Sequence, residues 1–171
     1  EDLQILRTLG KHDEFTLFAA GSAAGLLKGK EKNTFLTELA EEVEGWGKLA
    51  ILYELDYSDE NARLWAVKKG CRNTVGYSYA ANVCATKGNM ADILAKLKAG
   101  EYAETEAGEI FRGVCDIFTG LFNPDENQDG IKEYGEAMRA GASFKDICQN
   151  MPELSSKDDR AAKIAEKLSD Y

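Results

Sequence analysis

An all-α fold follows from three features of the chain. Apolar residues recur at three- and four-residue spacing through most of its length, the pattern of helices with one buried face. Only two prolines, Pro124 and Pro152, interrupt 171 residues. The one stretch that alternates in the manner of a strand, residues 74–80, has no partner of similar quality, and unpaired strands are not stable. A chain of this size buries about 70% of its unfolded surface on folding, enough for one core. The expectation is a single domain over residues 1–171, a bundle of about nine helices stapled by two disulfides.

Taken in order, residues 2–9 and 15–28 read as a short and a longer helix, ended by Gly10 and Gly29. The clearest helix is capped at Asn33 or Thr34 and runs to about Asp56. It carries Phe35, Leu36, Leu39, Val43, Trp46, Ala50 and Tyr53 on one face, with Glu41, Glu42, Glu44 and Lys48 largely opposite. Shorter helices follow over 59–69, 74–86, 90–98 and 106–122. The first three close near Gly70, Gly88 and Gly100, residues suited to a left-handed C-cap. Phe111, Cys115, Phe118 and Phe122 share a core face of the fourth. The tail holds a helix around 133–140 and two more opened by capping-box-like pairs, Ser143 with Asp146 and Ser155 with Asp158.

Thirty acidic against 21 basic side chains leave a formal charge of -9. That balance argues against nucleic acid, whose phosphates are neutralised by Lys and Arg, and against anionic membrane surfaces. No apolar run approaches the roughly 18 to 20 residues that span a bilayer, so membrane insertion is not expected.

Cys71, Cys84, Cys115 and Cys148 are even in number, and their spacing matches no zinc or thioredoxin-like pattern. Two disulfides are expected, and with them a secreted or surface-exposed protein. A start at Glu1 rather than Met fits a removed signal segment. A helix over 74–86 would hold Cys71 and Cys84 roughly 15 to 20 Å apart, beyond the ~7 Å Cα limit for a disulfide. The preferred connectivity is Cys84 to Cys115 with Cys71 to Cys148; Cys71 to Cys115 with Cys84 to Cys148 stays open.

Catalytic chemistry has little to build on. His12 is the single histidine, in a polar stretch between two helices, and no nucleophile elbow, P-loop, dinucleotide fingerprint or H-E-x-x-H site is present. The carboxylates at Glu41, Glu42 and Glu44 read as a solvated helix face. The aromatics are more informative: Trp46, Tyr53, Trp65 and Tyr77 follow one another along consecutive elements, and Trp and Tyr dominate binding hot spots. The small-residue stretch 18–25 permits close helix approach or lines a ligand site.

Residues 125–136, Asp-Glu-Asn-Gln-Asp-Gly-Ile-Lys-Glu-Tyr-Gly-Glu, carry the most specific local pattern. Oxygen-bearing side chains fall at the first, third, fifth, ninth and twelfth places with glycine at the sixth, and this resembles the EF-hand calcium loop. The resemblance implies Ca²⁺ held by Asp125, Asn127 and Asp129, by the carbonyl of Ile131, by Glu133 directly or through water, and by Glu136 as the bidentate closer. Two features depart from the pattern: Lys132 stands where a hydrophobe is usual, and Pro124 interrupts the entering helix. No paired hand exists, so the ion's expected role is structural.

These features together point to a non-enzymatic protein-recognition module. The rival is a carrier of a small apolar or amphipathic ligand held between helices.

Overall fold

Residues 2–171 are described by a computed structural model in which every regular element is helical. The α-helices are α1 (Asp2–Gly10), α2 (Asp13–Leu26), α3 (Gly29–Ala40), α4 (Gly45–Glu54), α5 (Glu60–Trp65), α6 (Ser78–Thr86), α7 (Met90–Lys98), α8 (Glu104–Phe122), α9 (Ala137–Asn150), α10 (Pro152–Ser155) and α11 (Ala161–Ser169). A π-helical turn, Ala66–Gly70, continues α5 without a break.

The longest helix, α8, is the axis of the molecule. Its Ile110, Phe111, Val114, Cys115, Ile117, Phe118 and Leu121 are sealed from solvent. Burial extends round much of this helix because three of its turns carry glycine in place of a side chain. A Cβ on Gly113 would lie 2.1 Å from the Val67 carbonyl oxygen, and one on Gly120 would lie 2.6 Å from the Ala81 Cβ and 2.7 Å from the Tyr77 oxygen. The π turn and the start of α6 therefore pack backbone-to-backbone on α8. On its other flank Phe111 stacks on Phe144 of α9 with centroids 5.3 Å apart, and Phe118 meets the same ring edge-on at 5.2 Å.

An ion network centred on one buried carboxylate ties the C-terminal segment to this axis. Asp116, 1% exposed, accepts from Arg72 at 2.9 and 3.1 Å and from Arg160 at 2.7 Å. Arg160 also donates to Asp158 and lies over the Tyr77 ring at 5.8 Å. Each charge has a partner, which is the condition for burying it at tolerable cost.

Several expected boundaries moved, for identifiable reasons. The long helix from Asn33 to Asp56 is two helices. Gly45 has φ +63° and the chain turns over 41–44, so α3 ends at Ala40 and α4 starts afresh. Asn33 is no cap: it lies buried inside α3, where its amide donates to the Asp56 carbonyl and accepts from the Asp56 N–H, both at 2.9 Å. Residues 74–77 form a turn instead of the first turn of α6, because the Asn73 side chain accepts from the N–H groups of Val75 and Gly76. Gly100, at φ +74°, is a left-handed cap as expected, its N–H bonded to the Leu97 carbonyl. Ser143 lies inside the single helix α9, and Gly141 does not break it because α11 seats Leu168 there, 3.0 Å from where a Cβ would be. Ser155 ends α10, while Asp158 itself accepts from the Arg160 N–H ahead of α11.

The two disulfides are absent: no pair among Cys71, Cys84, Cys115 and Cys148 lies at bonding distance. Cys84 and Cys115 are buried in separate packing positions as small apolar side chains, and Cys148 is half-buried on α9. Cys71 and Cys84 share one part of the core, since a Cβ on Gly70 would stand 3.0 Å from the Cys84 sulfur. The 71–77 turn folds back until the Cys71 sulfur is 3.5 Å from the Tyr77 oxygen. Burial pushes the Cys71 thiol well up, and nearby Cys84 adds to the rise.

Candidate recognition groove

The helix α2 is apolar on nearly every side, and such a helix is ordinarily buried all round. Here only one side is covered. Thr16, Ala19, Ala20 and Ala23 face inward, and their small size lets neighbouring helices come close. A Cβ on Gly47 of α4 would meet the Thr16 hydroxyl at 2.8 Å, and one on Gly10 of α1 would meet the Ala19 Cβ at 3.0 Å. The Thr16 hydroxyl donates to the Gly10 carbonyl at 2.8 Å. The outer side shows Phe15, Leu17, Phe18 and Leu26 to solvent. Gly21 and Gly25 lie between them with nothing within 4 Å of a Cβ position.

Between this outer edge and α4 runs a cleft of about 590 Å³. Glu14, Leu17 and Phe18 form one wall; Trp46, Ala50 and Tyr53 form the other; Tyr79 and Gln128 close an end. Trp46 meets the Tyr79 ring edge-on at 5.2 Å, and the Lys87 ammonium lies 5.9 Å from the centroids of both Tyr53 and Tyr57. The large wall residues project outward: Phe18 is 69% exposed, Trp46 64%, Tyr53 60% and Leu17 58%.

Of the four aromatics expected at a recognition site, the fold brings Trp46 and Tyr53 together and sends the other two elsewhere. Trp65 donates its indole N–H to the Glu41 carboxylate at 3.0 Å, which Lys69 also reaches at 3.0 Å. Burial pushes the Glu41 carboxyl up, but the hydrogen bonds from Lys69 and Trp65 outweigh it and hold the group below its ordinary value. Tyr77 is taken by Arg160. The stretch 18–25, expected either to let helices approach or to line a ligand site, contributes Phe18 to the lining. The missed member is Leu17, and the signal for it was available, since α2 has too few polar residues to solvate an outer face.

The 125–136 loop has engaged most of the groups expected to hold calcium. Asp125 accepts from the Ser78 hydroxyl at 2.7 Å, Glu133 accepts from the Gly130 N–H at 2.9 Å, and Glu136 pairs with Arg139 at 3.1 Å. The Ile131 carbonyl accepts from the Tyr171 hydroxyl at 3.2 Å. Asn127 sits in the turn at φ +66° beside Asp129. Among the described residues, no group of three or more His, Cys, Asp or Glu side chains is gathered to hold a metal. Tyr134, in the same loop, is 3% exposed, with a phenol that finds no hydrogen-bond partner among the described residues. Burial and the nearby Glu136 push its pKa up to about 12.

His12 is exposed at the start of α2, where its backbone carbonyl receives the N–H groups of Phe15 and Thr16. No helix among the described residues is long and apolar enough to cross a membrane. No protein-family model matches the chain, and no curated protein and no solved structure shows significant similarity to it.

Proposed function

We propose that the chain is a non-enzymatic recognition protein and that the groove between α2 and α4 is where its protein partner seats. One observation carries this reading: Leu17, Phe18, Trp46 and Tyr53 stand together, each more than half exposed, on helices whose inner faces are fully used. Aromatic side chains of about 150–250 Å² each, at these exposures, offer roughly 300–500 Å² of apolar surface, as large as the biggest patches monomers normally show. Covering it is worth on the order of 10 kcal/mol before the costs of association.

The carrier reading is the weaker one. The cleft is large enough for a small ligand, but such sites bury about 70–90% of their ligand, and walls that project into solvent favour a macromolecular surface. Secretion has lost its main support, since it stood on paired cysteines. Calcium in the 125–136 loop is a separate proposal supported by the spacing of its oxygen-bearing residues. Loading requires Asp125, Glu133 and Glu136 to leave Ser78, Gly130 and Arg139.

The deciding experiment is retention of a partner on the wild-type chain and on Phe18→Ser/Trp46→Ala, followed by identification and re-binding of the purified partner. A micromolar or tighter complex that the double variant weakens at least about tenfold is expected of a hot spot. Equal binding by both chains would end the reading. So would saturable, one-to-one quenching of Trp46 by a fatty acid or retinoid, which would establish the carrier instead.

A further inference from the structure

We infer that the segment seated in this groove is a cationic amphipathic helix of the partner; the inference rests on the recognition reading above and specifies its partner class. Two independent features of the groove select that chemistry, one through shape and one through charge.

The shape comes from α2. The edge that forms the cleft wall begins with Glu14, Leu17 and Phe18 and continues along the same side of the helix to Gly21 and Gly25. Residues three and four apart are neighbours on a helix surface. The wall is therefore tall over residues 14–18, apolar at Leu17 and Phe18, and bare backbone for the next two turns, with empty space where both glycine Cβ atoms would stand. A second helix laid along α2 can sink its backbone onto the glycines and lodge apolar side chains between Phe18, Trp46 and Tyr53. Apolar anchors at i, i+3, i+4 and i+7 are the recurring form of helix-in-groove recognition. An extended strand would gain nothing from the glycines, because α2 offers no unpaired backbone groups along its side.

The charge comes from the rim. Among the described residues, Glu14 is the one charged side chain in the lining, and it is acidic. Gln128 brings the 125–129 loop to the cleft, and its Asp125, Glu126 and Asp129 are exposed. Lys132 follows in the same loop, and the Lys87 ammonium lies over Tyr53 and Tyr57. With a chain charge of -9, the field over the groove attracts a partner whose apolar stripe is flanked by Lys or Arg, and it repels a second copy of this chain.

The test uses three fluorescein-labelled probes of about 18 residues, long enough to span α2: a Leu/Lys amphipathic helix, a Leu/Glu helix with the same apolar face, and a Leu/Lys peptide of scrambled order. Anisotropy measures binding to the full chain, and Trp46 emission in a Trp65→Phe background reports the site. The Leu/Lys helix is expected to bind at least about tenfold more tightly than either other probe, as a hot-spot contact requires. Phe18→Ser and Gly21→Leu, checked for an unchanged fold by circular dichroism, should each remove most of that margin. Asp125→Asn/Glu126→Gln/Asp129→Asn should weaken the Leu/Lys helix alone, as should added salt.

Equal binding of the Leu/Lys helix and its scrambled form, or indifference to Phe18→Ser, would mean charge attraction without a groove and would overturn the inference. If the Leu/Glu helix binds as well as the Leu/Lys helix while Phe18→Ser weakens both, the cationic class falls and the recognition groove stands. If no probe binds and sedimentation shows a dimer that Phe18→Ser dissociates, the occupant is a second copy and the inference falls. If no probe binds and the chain is monomeric, a helical cationic partner is excluded, and the partner-retention experiment alone judges the recognition reading.

Discussion

A methyl group on Gly113 would have to occupy space held by the Val67 carbonyl, 2.1 Å away on the backbone of the π turn. No side chain can swing aside there. Gly113→Ala is expected to cost more than about 4 kcal/mol, a loss reserved for gross overpacking, or to prevent folding. Gly21→Ala, in a helix interior with open space around it, should stabilise by about 0.5–1 kcal/mol. Urea unfolding of the pair checks both signs, and a neutral Gly113→Ala would mean that α8 and the π turn are not in backbone contact. Asp158 links structure to acidity. Burial raises its carboxyl pKa, but the hydrogen bonds from Arg160 outweigh that and hold it below the ordinary value. A depressed folded-state pKa contributes stability that is present above the unfolded value, about 3.9, and is lost as pH falls through the folded value. Wild-type should therefore lose stability below about pH 4 more steeply than Asp158→Asn, measured by melting temperature against pH. The cysteines supply a third check at this level. Burial pushes the Cys148 thiol up to about 11 and raises the Cys71, Cys84 and Cys115 thiols as well. Ellman's reagent at pH 8 should react slowly with the native chain and, after unfolding in guanidinium without reductant, should find all 4 thiols.

Helices depend on such residues unequally. The clip between α3 and the 56–59 turn is one buried amide: Asn33 takes both the donor and the acceptor of Asp56 and touches the Asp59 carboxylate at 3.2 Å. Asn33→Ala leaves the half-buried Asp56 N–H and carbonyl without their partner, and losing such hydrogen bonds costs about 0.5–1.5 kcal/mol each. That loss should be visible by urea unfolding. Asn33→Leu, which restores bulk but not the bonds, should not recover it. At the opposite extreme α1 fully buries only Gly10 among its residues. Amide exchange should accordingly open α1 far more often than α8, whose protection should match global unfolding. Comparable protection in the two helices would contradict the packing described.

Over the whole molecule, stability and recognition are separable, because the groove residues point outward. Phe18→Ser/Trp46→Ala should leave unfolding free energy within about 0.5 kcal/mol of wild-type, as surface substitutions do, while removing the partner. Calcium is the molecule's other proposed interaction. If the 125–136 loop takes the ion, mass action raises the melting temperature at about 5 mM Ca²⁺ even for a site with Kd near 10⁻⁴ M, and Glu136→Gln abolishes the shift. An unchanged melting curve in calcium and in EDTA would reduce the loop to the acidic turn drawn by Ser78, Gly130 and Arg139.

The all-helical class was legible in the residues because helix formation is local: spacing of three and four residues decides which side chains share a face, whatever lies beyond. Met90–Lys98 was read to the residue, since its periodicity, its acidic first turn and Gly100 all agree. Half of the groove was legible too, in Trp46 and Tyr53, though not which aromatics would be consumed by partners: Trp65 by Glu41, Tyr77 by Arg160. The break at Gly45 was missed because apolar spacing continued across it, and only the packed chain shows that glycine at φ +63°. The thiols, Asp125, Glu133 and Glu136 share one lesson. A spacing states which groups can reach one another, whereas tertiary packing decides which do, since Ser78 lies 47 residues from Asp125 and meets it only after α6 has closed on Gly120 of α8. Helix content belonged to the sequence; the partners of its polar groups and the bare face of α2 belonged to the fold, because both depend on distances between segments that local periodicity does not set.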